Sequence, residues 1–173
     1  RKIYSVQSGF DQSYHKFEWL SDSQLFLQTY YQLVVFDTNG DNATTFSGSN
    51  PVVISPDRRK IGYVAGNKLK IYDTESKKYI VDDVLFDTWW YPQFDFSLTG
   101  NKAYATGYPD KDLLIIDLDS GNIRKIGKDG FGENFYSLSN LIWLPDDDSL
   151  VGEAVYTGTQ GGEYNSLFLI NTS

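Results

Sequence analysis

Cysteine and methionine are both absent from this 173-residue chain, histidine occurs once and proline five times. Without thiols there is no disulfide framework, no thiolate nucleophile and no cysteine-ligated zinc; such a composition fits an extracytoplasmic or secreted protein. A single imidazole, His15, leaves zinc without enough nitrogen ligands. Positive charge is scarce too. Fifteen Lys and Arg stand against 23 Asp and Glu, a net charge of −8, which excludes the basic face that a phosphate backbone requires. No apolar run reaches the roughly 18 residues of a membrane-spanning helix. A sustained 3.6-residue apolar period is also missing, so no long helix is expected. The chain starts at Arg1 without a methionine or a targeting segment, as a piece or processed form of a longer product would.

What the chain has is aromatic residues, with 4 Trp, 13 Tyr and 11 Phe, and a repeated pattern of short apolar runs. The clearest unit runs from Val52 to Val81. Apolar runs at Val52–Ser55, Ile61–Ala65, Leu69–Tyr72 and Tyr79–Val81 are separated by Pro56-Asp57-Arg58, Gly66-Asn67-Lys68 and Asp73-Thr74-Glu75-Ser76. All three separators are turn chemistry, so the unit reads as a four-stranded antiparallel meander. Similar units surround it. Phe17–Ser23 leads to Leu25–Thr29 and Leu33–Gly40; Phe94–Gly100 to Lys102–Ala105 and Leu113–Gly121; Leu141–Asp146 to Leu150–Val155 and Leu167–Thr172. Each third strand ends in an apolar pair followed by Asp37, Asp73, Asp117 or Asn171. The spacing of roughly 35 to roughly 55 residues brackets that of propeller blades.

Repetition of a whole four-strand unit favours a radial array over a sandwich. The expected fold is an all-β propeller of about four blades, near residues 14–47, 50–83, 92–127 and 138–173, in a single domain. Residues 1–7 would supply an outer strand: Arg1-Lys2-Ile3 repeats Arg124-Lys125-Ile126, so Lys2–Val6 could complete the last blade. The chain is then either a closed four-bladed ring or part of a ring of six to eight blades, which would self-associate through its open blades.

The stretch Ile54-Ser55-Pro56-Asp57-Arg58-Arg59-Lys60-Ile61-Gly62-Tyr63, with Ile71-Tyr72-Asp73, resembles the WD40-like repeat of TolB-type β-propellers. Arg58 stands where that repeat has glycine. In the third unit Gly100 is kept but Leu98-Thr99 replaces Pro-Asp; the first and last units keep Ser21-Asp22 and Pro145-Asp146. The resemblance implies a fold and leaves activity open.

Sorting the connections by blade end gives an asymmetry. One end is aromatic with long connections, and its candidate binding residues are Tyr14, His15, Tyr31, Trp89, Trp90, Tyr91, Tyr108, Phe135, Tyr136 and Tyr164. The other end has short, charged turns. Aromatic side chains bring large contact area at low rotamer cost, as recognition surfaces need; bulky residues also fill wedges between blades. Trp19 and Trp143, inside first strands, are expected in the core. His15 lacks a nucleophile-elbow context, and no calcium loop, phosphate cradle or cofactor motif is complete. Carboxylates on first strands, Glu18 and Asp95, are the remaining catalytic candidates, as glycoside cleavage needs an acid pair. Asp82-Asp83 and Asp146-Asp147-Asp148 read as solvated turns. The leading expectation is a non-catalytic binding or scaffold module for a protein, peptide or glycan, without cofactor, nucleic acid or membrane span. The alternative is the propeller of a hydrolase, a peptidase gate or a carboxylate-based glycosidase.

Overall fold

A computed structural model describes residues 16–29, 32–39, 43–47, 49–85, 88–109, 112–158 and 161–172. The alternation of apolar and polar residues between turn signals yields strands throughout. The first sheet holds β1 (Lys16–Ser21), β2 (Gln24–Gln28), β3 (Gln32–Asp37) and β4 (Ala43–Ser47). The second holds β5 (Ser49–Ile54), β6 (Lys60–Ala65), β7 (Lys68–Asp73) and β8 (Lys78–Leu85). The third holds β9 (Thr88–Phe96), β10 (Lys102–Pro109), β11 (Leu113–Asp117) and β12 (Ile123–Ile126). The fourth has β13 (Phe135–Trp143), β14 (Ser149–Thr157) and β15 (Glu163–Asn171). Within each sheet the strands pair antiparallel in chain order. The one helical element among the described residues is a 3-10 turn at Lys128–Phe131. Four repeated antiparallel sheets packed in sequence are the blades of a β-propeller, as the repeat implies. Lys2–Val6, the expected outer strand of the last blade, lies outside the described residues.

The repeat extends to individual hydrogen bonds. Lys60, Lys102 and Ser149 open the second strands of three blades, opposite Asp73, Asp117 and Asn171. In each preceding turn the same two backbone bonds recur: Ser55, Ser97 and Leu144 donate to the carbonyls of Lys60, Lys102 and Ser149, while Arg58, Gly100 and Asp147 donate back to Ser55, Ser97 and Leu144. The recurring acid has a local cause as well. Asp73 Oδ1 accepts from the Ser76 N–H at 2.6 Å, and Asp117 Oδ1 from the Ser120 N–H at 2.7 Å, closing the turn to the outer strand.

One turn position ties two of the blades to the blade before. Arg58, Gly100 and Asp147 all have positive φ, at 61°, 74° and 59°, the left-handed region that glycine occupies most cheaply. Where glycine is replaced, the side chain reaches backward. Arg58 donates to the Trp19 carbonyl at 2.9 Å. Asp147 accepts from Ser97 Oγ at 3.0 Å and from the Thr99 N–H and hydroxyl. Beside it, Asp148 pairs with Lys102. Asp147 and Asp148 thus latch the fourth blade to the third, beyond the solvated turn expected from sequence, while Asp146 bonds within its own turn. Asp82 and Asp83 are likewise engaged: they lie in β8, and Lys70 bridges both at 2.7 Å while Lys68 holds Asp83.

Between blades, side chains of one sheet's trailing face meet the leading face of the next. Leu20, Phe26, Leu33, Val35 and Phe46 pack on Ile61, Tyr63 and Tyr72, with Val52 and Ile54 at the edge. Val64, Leu69, Ile71 and Val81 pack on Phe94, Phe96, Ala103, Ala105 and Ile116. Tyr104, Leu113 and Ile115 pack on Leu138, Leu141, Trp143 and Leu150. Size alternates across these contacts. Phe26 faces a valine edge, Gly62 receives the Phe94 ring, and Tyr104 donates its hydroxyl to the Leu141 carbonyl at 3.1 Å. A Cβ on Gly62 would lie 2.1 Å from Phe94 Cε1, so only glycine fits there. Trp143 is buried as expected, but Trp19 is more than half exposed. It occupies a leading face, and no preceding blade covers that part of it among the described residues.

Gly62→Ala should therefore destabilise the protein by about 1–3 kcal/mol through overpacking, and Phe94→Leu in the same chain should recover part of that loss, read as non-additivity in urea melts. The latch gives a pH signature. Burial raises the Asp147 carboxyl, but hydrogen bonds from Thr99 and Ser97 outweigh this and hold it below its ordinary 3.8. Its stabilisation is then present above pH 3.8 and is lost as pH falls below that value. Asp147→Ala should cost about 1–2 kcal/mol near neutrality, with the gap to wild type narrowing in acid.

Candidate functional site

The aromatic residues of the third and fourth blades do converge on one end, but by a route the sequence did not signal. Trp89, Trp90 and Tyr91 belong to β9 and Tyr108 to β10, not to loops. The backbones of Tyr108 and Trp90 face each other across a register shift. The aromatic stretches extend the β9–β10 hairpin beyond the blade core, and the description of these four residues covers their backbone. The fourth blade does the same. Phe135 and Tyr136 open β13, Tyr156 lies near the end of β14, and Tyr164 starts β15, with Tyr156 opposite both Phe135 and Tyr164. All these positions lie where first and third strands begin and second strands end.

Side chains at this end of the fourth blade form a stacked array. Phe131, from the 3-10 turn, stacks on Phe135 at 4.6 Å with planes 21° apart. Phe168 meets Phe131 edge-on at 5.7 Å, and Tyr156 meets Phe135 at 6.0 Å. Tyr156 donates to the Phe131 carbonyl at 2.9 Å, which fixes its ring. Tyr164 lies over Tyr156 at 5.3 Å, 12° from parallel, and is exposed. Phe135 is buried and belongs to the packing beneath; Tyr136 is half-buried. Phe131 and Tyr156 bound stretches that the sequence places at this end, but neither they nor Phe168 are among the candidate binding residues read from it. Only the pairing register brings Tyr156 beneath Tyr164, and no motif marks it. Tyr14, His15 and Tyr31 lie outside the described residues.

Glu18 and Asp95 occupy the same position in the first and third blades, opposite Phe26 and Tyr104 respectively. The second blade therefore stands between their sheets. Glu18 pairs with Lys16 at 3.0 Å. Asp95 Oδ1 accepts from its neighbour's N–H, that of Phe96, at 2.8 Å. Asp95 is exposed as a residue, but partial desolvation of its carboxyl pushes that group above its ordinary value, and desolvation with the nearby Asp95 charge pushes the Tyr104 phenol up to about 12. A raised carboxyl suits a general acid, but no second carboxylate accompanies it on its own blade's first strand. Among the described residues no group of three or more Asp, Glu or His side chains is placed to hold a metal ion, and no helix is long and apolar enough to cross a membrane.

Comparison with known proteins yields fold without family. No family model matches the chain, and no curated protein matches it. Solved structures do. Hydrazine synthase of Kuenenia stuttgartiensis aligns with a TM-score of 0.55 at 17% identity, over 87% of this chain and 48% of that one. The tricorn protease aligns with a TM-score of 0.62 at 13% identity, over 98% of this chain and 17% of that one. Both contain propellers. The likeness is one of fold. The chain spans about half or less of the length of these structures.

Because the native state raises the Asp95 carboxyl, ionising it opposes folding; stability is greatest below the ordinary value of 3.8 and falls as pH rises toward the raised one. Asp95→Asn should therefore raise the melting midpoint at neutral pH and remove that part of the pH dependence, which calorimetry across pH 3 to 8 (about that span) would read.

Proposed function

We propose that this propeller is a non-catalytic binding or scaffold module that recognises a protein, peptide or glycan through its aromatic end. One observation carries the reading: the strands of the third and fourth blades run on past the blade core, and the Tyr156–Tyr164 stack stands at that end with Tyr164 exposed. Hairpin extensions hold rings more rigidly than loops of equal length. Pre-ordered aromatic surface loses little freedom on binding, so more of the contact energy appears as affinity. Flat, nearly parallel tyrosine rings suit the apolar face of a sugar or the side chains of an extended peptide equally.

The repeat unit fits the WD40-like pattern of TolB-type propellers, supported by the tight turn at Ser55–Lys60 and by the positive φ of Arg58 at the glycine position. Among the described residues the opposite end shows no comparable aromatic stack. Its charges are spent on turns and on neighbouring blades, as Asp57 illustrates: burial raises its carboxyl, but bonds from Ser55, Arg59 and Lys60 prevail and hold it low.

Arrays of immobilised peptides and glycans provide the test. The wild-type chain should retain a defined subset, and Trp90→Ala combined with Tyr108→Ala should weaken capture at least about tenfold, a loss of the size expected for interface aromatics. Tyr164→Ala alone should weaken it less, and melting temperatures should be nearly unchanged. Retention that ignores all three substitutions would remove the aromatic end from the reading.

A further inference from the structure

The ring stack at the tip of the fourth blade stands among carboxylates that the fold leaves unused. Tyr164 lies on the same face of β15 as Phe168 and Ile170, which pack in the junction with the third blade. Its 52% exposure comes from its place at the end of that junction, not from the outward face of the sheet. One step beyond the Tyr156–Tyr164 pair, Thr157 lies opposite Glu163, and its N–H donates to the Asn134 carbonyl at 2.9 Å. Glu163 and Glu133 therefore flank the end of β14 from its two sides. Asp129 belongs to the 3-10 turn, whose Phe131 stacks on Phe135 and accepts the Tyr156 hydroxyl bond. All three acids are exposed, and none has an ion pair or hydrogen bond among the described residues. Many of the chain's other acids are taken. Asp57, Asp112 and Asp148 pair with Lys60, Lys125 and Lys102, and Lys70 holds Asp82 and Asp83. Among the described residues of this tip, Lys128 is the single unpaired cation to set against the three acids.

We propose that this tip receives a basic peptide segment of a protein partner, with an arginine guanidinium laid flat on Tyr164 and further cations met by Asp129, Glu133 and Glu163. The inference rests on the aromatic end being a binding surface and narrows what binds there. The rings alone suit a sugar or a peptide; the charges around them choose. A neutral sugar laid over this tip would strip water from carboxylates and return nothing for it. An acidic ligand would be repelled, here and by the net charge of −8. A guanidinium is planar, weakly hydrated and always charged, so it stacks on a ring face and offers a fork of donors to a carboxylate. Strand alternation turns Glu163 and Tyr164 to opposite sides of β15, so the acids surround the ring rather than lie over it. A segment with several cations therefore matches the tip, whereas a lone arginine uses only part of it.

Fluorescence anisotropy with the full chain tests it, using a labelled peptide of alternating arginine and glycine, its lysine and citrulline counterparts, and labelled neutral oligosaccharides. The arginine peptide should bind, the lysine peptide more weakly, and the citrulline peptide and oligosaccharides not at all. Asp129→Asn, Glu133→Gln and Glu163→Gln together should weaken binding about tenfold and flatten its dependence on salt. Tyr164→Leu should abolish the preference for arginine over lysine, and Tyr164→Phe should keep it, because the ring face and not the hydroxyl carries the contact. Circular dichroism checks that the variants fold; if Tyr164→Leu disturbs the strand, Tyr164→Gln takes its place. Binding of the arginine peptide that ignores Tyr164→Leu but vanishes in the triple variant overturns the proposal, leaving general attraction to an acidic chain. Oligosaccharide binding that depends on Tyr164 overturns it too, while the aromatic end stands as a binding surface. Failure of every probe overturns it as well, and array capture of neutral ligands that depends on Trp90 and Tyr108 would then keep the wider reading apart from this one.

Discussion

A blade in this protein has two apolar faces, and the packing of each trailing face on the next leading face is what the structure rests on. A four-stranded meander alone leaves both faces in water and is at best marginal. Stacked blades solve the problem for one another. Burying a leucine or isoleucine is worth about 1.5–3 kcal/mol, and each internal junction buries several. Stability is then close to a sum over neighbouring pairs.

Polar groups do a different job. The charged end of the array looks like a candidate ligand surface in composition alone, yet its acids are committed to the fold. Asp73 and Asp117 close turns, Asp57 holds Lys60, Asp147 and Asp148 hold the blade before them, and Asp146 binds its own turn through Ser149. At the other end the strands of the third and fourth blades run on past the blade core. The difference between the two ends follows from which turns can be short. Short turns need Asp, Asn, Gly and Ser for their own backbone bonds.

Much of the fold was legible in the sequence because its signals are local. The Ser55-Pro56-Asp57 turn, the recurring acid at 37, 73 and 117 and the four apolar runs of the second unit each act over a few residues, and each recurs as a hydrogen-bond pattern. Less was legible at the candidate site. Trp89, Trp90 and Tyr91 read as a loop because no polar alternation marks them, whereas pairing with β10 decides their conformation. Trp19 read as core because its neighbours in sequence are those of Trp143; what separates the two is the presence of a preceding blade. The Tyr156–Tyr164 stack depends on register, which a single sequence does not display.

The backward reach of Arg58 and Asp147 gives the array a polarity in time as well as in space. During synthesis the amino-terminal blade emerges first, but the bond to its Trp19 carbonyl waits for Arg58 in the blade that follows. Ser97 and Thr99 likewise wait for Asp147. The first and third sheets are therefore fastened only once their successors have been made, while the second, followed by Gly100 at the same turn position, relies on packing alone.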